Sequence, residues 1–318
     1  VLSPDGMTAY LTSNRKDGHG EEDIYRVFFK QPITAHQQIS EVPTFYQMQL
    51  LALNNNVKPT EPIAEPVEIK EYYISHLFFD ANVDILTPQN NKKLDQLANL
   101  LLIYPKITAE LSCFELPTGQ KTFNLYFSIK KTEKAAEYLA GKGIPRSRLL
   151  LKGYGSSFPL VAKPVSNNIS PLYQKLNQRL EIALHDYESE PVIIDIEGIK
   201  VPENLQDPKG VKFSTLSNQL FYSVQIASIS QILQNQAIES VEELFIEVEN
   251  SSGNYLYMAG MIPTFKEAEK LMSSLIDLGF PDARIVPYIN GIRIPQGSVA
   301  DYAKKYPDLL FFLAGKKK

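Results

Sequence analysis

Metal ligation and nucleophilic catalysis both need their residues clustered, and this chain scatters them. Its four histidines, His19, His36, His76 and His185, stand far apart in different elements, with no H-E-x-x-H or similar ligand spacing. The single cysteine, Cys113, excludes an intramolecular disulfide, lacks the paired motif of a structural zinc site, and reads as a small buried hydrophobe. No G-x-S-x-G occurs. Gly153-Tyr154-Gly155 follows a strand without the third glycine and helix start that dinucleotide binding requires. Asp80 and Asp84 fall where a strand turns into a helix, the usual home of turn carboxylates. The expectation is a non-enzymatic protein with no metal and no cofactor. One stretch does keep a ligand-holding layout: CFELPTGQKTFNLYFSIKKTEKAAEYL, Cys113 to Leu139, runs from a strand end through a Gly-containing loop into a helix.

The elements around that stretch are legible from period and punctuation. Tyr73 to Phe79 is strand-like, and Thr87-Pro88 starts a helix with a hydroxyl N-cap before a proline. Leu94, Leu97, Ala98 and Leu101 line one face of that helix. Ile107 to Cys113 reads as a strand, Asn124 to Ala140 as a helix closed by glycines, Leu149 to Tyr154 as a strand, Tyr173 to Asn177 as a short helix and Leu180 to Leu184 as a last strand. Such alternation predicts a two-layer α/β sandwich. Further on, Phe221 to Ala227 is a strand, and Leu244 to Val248 with Tyr255 to Gly260 forms a hairpin. Thr264 and Glu267 make a capping box for a helix buried through Ala268, Leu271, Met272 and Leu275, ended by Gly279, and Arg284 to Tyr288 returns as a strand.

At 318 residues the chain suits two or three domains. Its 44% hydrophobic and 21% charged content is that of an ordinary globular protein. A net charge of −4 with no basic face excludes nucleic acid as an expected partner, and the Lys run after Gly315 reads as a solvated end. No apolar run of about 18 residues is present, so no transmembrane segment is expected. Two Pro-rich connectors divide the sequence, one through Pro59, Pro62 and Pro66, the other from Pro191 to about Ser217. The expected division is 1–30, an irregular segment and linker at 31–70, a domain at 71–186, a linker at 187–217, and a domain with a tail at 218–318. The first block, with turns at Pro4-Asp5-Gly6 and Asp17-Gly18-His19-Gly20 around two short strands, is about one supersecondary unit and reads as one member of a repeat array. Beginning in mid-pattern at VLSPDGMTAY, the chain is expected to be a piece of a longer protein.

Three resemblances follow from these motifs. LSPDGMTAYLTSNRKDGHGEEDIYRV resembles a WD-type beta-propeller repeat, with SPDG, SNR and DIY at that family's spacing. From about Ile74 to Leu184 the chain resembles the OmpA-like C-terminal domain: FFDANVDILTP, then Gly119, Asn124, Phe127 and Ser128 of G-x-x-x-x-N-x-x-L-S, then Gly143-Ile144, KGYGSSFP and NQRLEI. The last part, through FYSVQIAS and NYLYMAGMIPTFKEAEKLMSSLIDLGFPDARIVPYINGIRI, resembles a SPOR-like domain. Together they imply an α+β multidomain protein: a partial propeller blade, an OmpA-like β/α sandwich and a smaller, ferredoxin-like SPOR domain.

The OmpA-like resemblance also implies a ligand, the diaminopimelate of peptidoglycan stem peptides. In that family it is held by an Asp three residues before the loop Gly and by the Arg of L-S-x-x-R-A. An amino-acid zwitterion needs an anion for its ammonium and a forked cation for its carboxylate. Counted from Gly119 and Asn124, those positions here hold Leu116 and Lys131. Glu115 supplies the anion if the loop shifts by one residue, and Lys131 either meets a carboxylate or snorkels to the surface from its apolar stripe. Glu115, Asn124, Lys131 and Arg179, the second Arg of the family's N-R-R, are the candidate peptidoglycan-binding residues. Arg179 equally suits a salt bridge inside the fold. The SPOR-like resemblance implies glycan contact near Tyr222 and Gln225, the alternative being a core Tyr222 and a Gln225 that satisfies backbone groups. The resemblances imply a periplasmic, outer-membrane-associated protein linking an envelope assembly to peptidoglycan, with a lipidated N-terminus upstream. The alternative is a scaffold that docks outer-membrane or periplasmic proteins through these folds.

Overall fold

The computed structural model describes residues 3, 7–13, 23–30, 69–80, 84–117, 119–164, 170–233 and 236–315. They belong to two compact units, Val1–Ile69 and Lys70–Lys318. In the first unit, β1 (Thr8–Ser13) and β2 (Asp23–Phe28) pair antiparallel from Thr8↔Phe28 to Ser13↔Asp23, where the repeat-like sequence places two strands. The expected turns on either side of β1, along with His19, His36 and the first Pro-rich linker, lie outside the described residues.

The second unit is built on one nine-stranded sheet. Its elements in chain order begin with β3 (Lys70–Ile74), β4 (Leu77–Phe78), α1 (Pro88–Ile103), β5 (Thr108–Phe114), α2 (Lys121–Gly141) and β6 (Leu149–Gly155). There follow α3 (Pro171–Asn177), β7 (Arg179–His185), β8 (Val192–Ile196), α4 (Pro208–Leu216), β9 (Leu220–Ile229) and β10 (Leu244–Val248). The chain continues through β11 (Tyr255–Ile262), α5 (Phe265–Asp277), β12 (Arg284–Ile289), β13 (Ile292–Arg293), α6 (Val299–Tyr302) and α7 (Leu309–Gly315). Across the sheet the order is β13-β12-β9-β11-β10-β6-β5-β7-β4. The segments expected as separate domains at 71–186 and 218–318 therefore contribute adjacent halves of a single sheet. The joint is antiparallel β10–β6 pairing, with Ile246↔Gly153 and Glu247↔Lys152 in register.

Local signals explain most element ends. The Thr87 hydroxyl accepts from Asn90 N–H ahead of Pro88, and Thr264 does the same for Glu267 N–H. Gly279, at φ +106°, takes the left-handed conformation that stops α5. Two expectations change. The Tyr73 to Phe79 strand is split into β3 and β4, and β3 pairs with β8 in a separate two-stranded parallel sheet. The weakly patterned 187–217 connector supplies that β8 and also α4, whose Phe213 and Leu216 are buried. Its five-residue strand VIIDI is too short to announce itself by period among prolines and acidic residues, and tertiary pairing decides it.

The strand alternation sorts the sheet into two chemically different faces. One face carries Leu111, Leu151, Ile182, Val224, Ile246 and Tyr257 in the main core, which also holds the buried stripes of α1, α2 and α5. Helix α2 lies so close to β6 that a Cβ on Gly153 would sit 2.7 Å from Ile129 N. The other face gathers Phe114, Tyr154, Phe221, Phe245 and Tyr288, and Phe213 of α4 packs on it with ring centroids 5.2 Å from Phe114 and 5.0 Å from Tyr154. Beside that aromatic patch runs a buried ionic row. Lys152 Nζ donates to Glu110 at 2.9 Å and to the Gly291 carbonyl at 2.5 Å, and Glu247 accepts from Tyr288 at 2.8 Å and from Arg293 at 3.3 Å. The row crosses from β5 to β13, so it ties the two halves where only two residue pairs join their strands. Among the described residues no helix is long and apolar enough to cross a membrane.

Candidate functional site

Glu115 follows the last residue of β5, anchored by its N–H to the Gly155 carbonyl at 2.7 Å. Lys131 projects from α2 and puts its Nζ 2.6 Å from Glu115 Oε1 and 4.0 Å from the centre of the Phe79 ring. Glu115 is 8% exposed and the Lys131 side chain 18%. Lys131 thus neither snorkels to the surface nor stands free for a ligand's carboxylate, the two expected outcomes: it is paired with the protein's own Glu115. Burial pushes the Glu115 carboxyl above its usual range, outweighing the attraction of Lys131. The pair is therefore poorly solvated, and each charge is neutralised by the other.

The neighbouring positions are filled in the same self-contained way. Leu116, also 8% exposed, belongs to an apolar cluster with Val161, Tyr173 and Leu176. A carboxylate at this place would face hydrocarbon. Asn124 is buried in the first turn of α2 and donates to Ser156 Oγ at 3.3 Å. Arg179 is fully buried. Its Nε donates to Glu181 at 2.6 Å, its Nη1 to the Leu176 carbonyl at 3.2 Å, and its guanidinium carbon lies 3.7 Å from the Phe114 ring centre. Arg179 thus forms a salt bridge inside the fold, although its buried Nη2 has no hydrogen-bond partner among the described residues.

Tyr222 and Gln225 do not converge. They are an odd number of residues apart on β9, so they point to opposite faces. Tyr222 is fully buried in the helix-side core, against the rings of Phe265 and Phe312. Gln225, 5% exposed, lies on the other face, where its Oε1 accepts from Arg284 at 3.1 Å and Arg293 at 3.3 Å. The core alternative describes Tyr222, whereas Gln225 satisfies two guanidinium groups where backbone groups were expected.

Several motif residues have jobs that the motif alone does not reveal. Ser128 Oγ donates to the Leu125 carbonyl and accepts from Gly155 N–H at 3.0 Å, stitching α2 to the end of β6. Asn177 accepts from the N–H groups of Leu160 and Val161 and donates to the Val161 carbonyl, fixing the chain after β6. Gln120, at the N-cap of α2, makes no side-chain cap. Glu239 supplies one from 118 residues away, accepting from Lys121 N–H at 2.9 Å, while its second oxygen accepts from Thr122 N–H at 3.2 Å. No local signal could have found that contact. The ionic row, by contrast, was visible in part as alternate polar residues in strands, such as Glu110 and Ser112 in TAELSCF. Among the described residues no group of three or more His, Cys, Asp or Glu is placed to hold a metal ion.

No protein-family model matches the chain. Among curated proteins it is 31% identical over 140 residues to outer membrane protein A of Yersinia pseudotuberculosis, covering 42% of this chain and 39% of that protein. It is 23% identical over 123 residues to outer membrane porin F of Pseudomonas fluorescens, covering 39% and 35%. The chain spans less than half the length of these relatives. Solved structures similar to part of it include the peptidoglycan-associated lipoprotein of Burkholderia pseudomallei, at 19% identity over 34% of this chain and 88% of that one, with a TM-score of 0.29. Another is the C-terminal domain of Helicobacter pylori MotB, at 16% identity over 45% and 93%, with a TM-score of 0.30. The chain thus carries a segment similar in sequence to outer membrane protein A, and its second unit is mixed α/β.

Proposed function

We propose that this chain is a non-enzymatic, peptidoglycan-associated protein of the bacterial envelope, periplasmic and linked to an outer-membrane assembly, whose OmpA-like half no longer takes the stem peptide. Similarity to outer membrane protein A supports the envelope setting. The observation that carries the closed pocket is the Glu115–Lys131 pair: at 2.6 Å these two candidate charges are spent on each other, next to an apolar Leu116. A zwitterion would have to part a desolvated ion pair and then find no anion at the Leu116 position. The scaffold reading, in which these folds dock envelope proteins, draws on the same closed pocket.

Sedimentation with purified cell-wall sacculi tests the proposal. The full chain should pellet with sacculi, and the Glu115→Leu/Lys131→Met double variant should pellet equally well. Release by that variant, or binding of free meso-diaminopimelate that the variant abolishes, would show a working stem-peptide pocket and overturn the closed reading. Failure of the wild-type chain to pellet favours the scaffold. Deleting 218–318 is a poor control, because it strips β6 of its β10 partner and uncovers Lys152.

A further inference from the structure

We infer that the cleft between the first half of α2 and the β9–β10 connection binds an uncharged, N-acetylated sugar chain. Helix α2 buries Asn124, Leu125, Ser128 and Ile129 against the sheet, so a helical period should leave polar residues outside. Instead Phe123, Tyr126 and Phe127 occupy the outer positions, 56%, 37% and 51% exposed. Their i, i+3, i+4 spacing puts the three rings on one face. Ile232 and Leu233 form the opposite wall of a cleft of about 570 Å³, a size common for small-ligand sites.

Charge decides between ligand classes. Glu239 is committed to the α2 N-terminus, and Lys121 Nζ donates to the carbonyls of Glu239 at 2.6 Å and Val241 at 2.9 Å. Lys130 Nζ is held by Glu133 at 2.8 Å and by Tyr255 Oη at 2.7 Å. A charged ligand finds no free counter-ion among these groups. A wholly apolar one would cover the exposed side-chain amides of Gln120 and Gln236 without hydrogen bonds. Sugars satisfy both conditions, since their C–H faces stack on the electron-rich faces of aromatic rings and their hydroxyl and acetamido edges meet amides. Each wall has a fixed point: the helix start is held by Glu239, and Leu233 N–H donates to Tyr257 Oη at 2.7 Å. The inference rests on the cell-wall reading only for where such a chain would be met.

The test is calorimetric titration of the full chain with the β-1,4-linked tetramer of N-acetylglucosamine. Saturable binding is expected, weakened about tenfold by Phe123→Ala or Phe127→Ala, each removing one stacked ring. Both residues are solvent-facing, so the thermal midpoint should hardly move and loss of fold is separable. No saturable binding at millimolar sugar overturns the inference, as does binding unchanged in the Phe123→Ala/Phe127→Ala variant. Sacculus binding by the wild type without tetramer binding sinks the cleft and spares the wall reading. Tetramer binding without sacculus binding does the reverse. Loss of a purified envelope partner in the double variant, with no sugar binding, would make the cleft a protein surface and refute the proposal.

Discussion

Removing the ammonium of Lys131 with Lys131→Met would leave the Glu115 carboxyl, 8% exposed, in surroundings that already resist its charge. Its least costly escape is to take a proton. At pH 7 that costs about 1.36 kcal/mol for each unit between 7 and the ordinary 4.5, a ceiling of about 3 kcal/mol. Staying ionised and unpaired costs about 3–5 kcal/mol, so protonation sets the limit. The wild-type chain already bears part of the burial penalty, which makes about 2 kcal/mol the expected loss. Removing both charges in Glu115→Leu/Lys131→Met eliminates that penalty, and its stability should fall within about 1 kcal/mol of wild type. The sign with pH follows from the direction of the shift. A carboxyl whose folded pKa is raised contributes stability below its unfolded value and loses it as pH rises through the folded value. Urea unfolding at pH 7 and pH 4 should therefore show the Lys131→Met loss large at the first and nearly gone at the second. A loss equal at both, or one below about 0.5 kcal/mol at pH 7, would refute the account of a desolvated pair.

Gly153→Ala should destabilise the chain by about 1–3 kcal/mol in the same assay, because the new Cβ meets the α2 backbone at Ile129 N, 2.7 Å away, and helix and strand must separate. An unchanged midpoint would mean that α2 is not seated on β6 as described. Acid should weaken the fold in two stages. His76, buried and accepting from Ile182 N–H, has a pKa lowered from 6.5 chiefly by burial, so its contribution is complete above about pH 6.5 and fades as pH falls through the folded value. Burial would raise Glu110, but Lys152 and His185 outweigh it and hold the carboxyl at about 2. Its share, about 3 kcal/mol from the gap to 4.5, is complete above about pH 4.5 and lost towards pH 2. Glu115 partly offsets the first stage. Stability flat from pH 7 to pH 3 would contradict both assignments.

The local grammar of this chain was readable residue by residue. Thr87-Pro88 and Thr264 with Glu267 start helices because a cap needs only partners a few positions on. The alternation that places Leu111 and Leu151 in the core also places Glu110 and Lys152 on the opposite face, since successive strand side chains point to opposite sides. By the same rule, Tyr222 and Gln225 could not share a surface. The departures at Leu116 and Lys131 from the OmpA-like pattern were visible as plain substitutions.

Other outcomes depended on distance. Whether Lys131 reached water or Glu115 turned on how far α2 leans over the end of β5, which no local period encodes. That Glu239 caps α2 from 118 residues away, and that β10 completes the sheet beside β6, are contacts between segments whose own sequences would pair equally well elsewhere. The expected linker became β8 and α4 only because β3 and the aromatic patch were there to receive them. Caps and periods act over a few residues and so are written in order along the chain. Edge pairing and buried ion pairs are selected by which surfaces remain uncovered once the helices and strands have packed, and only the tertiary structure decides that.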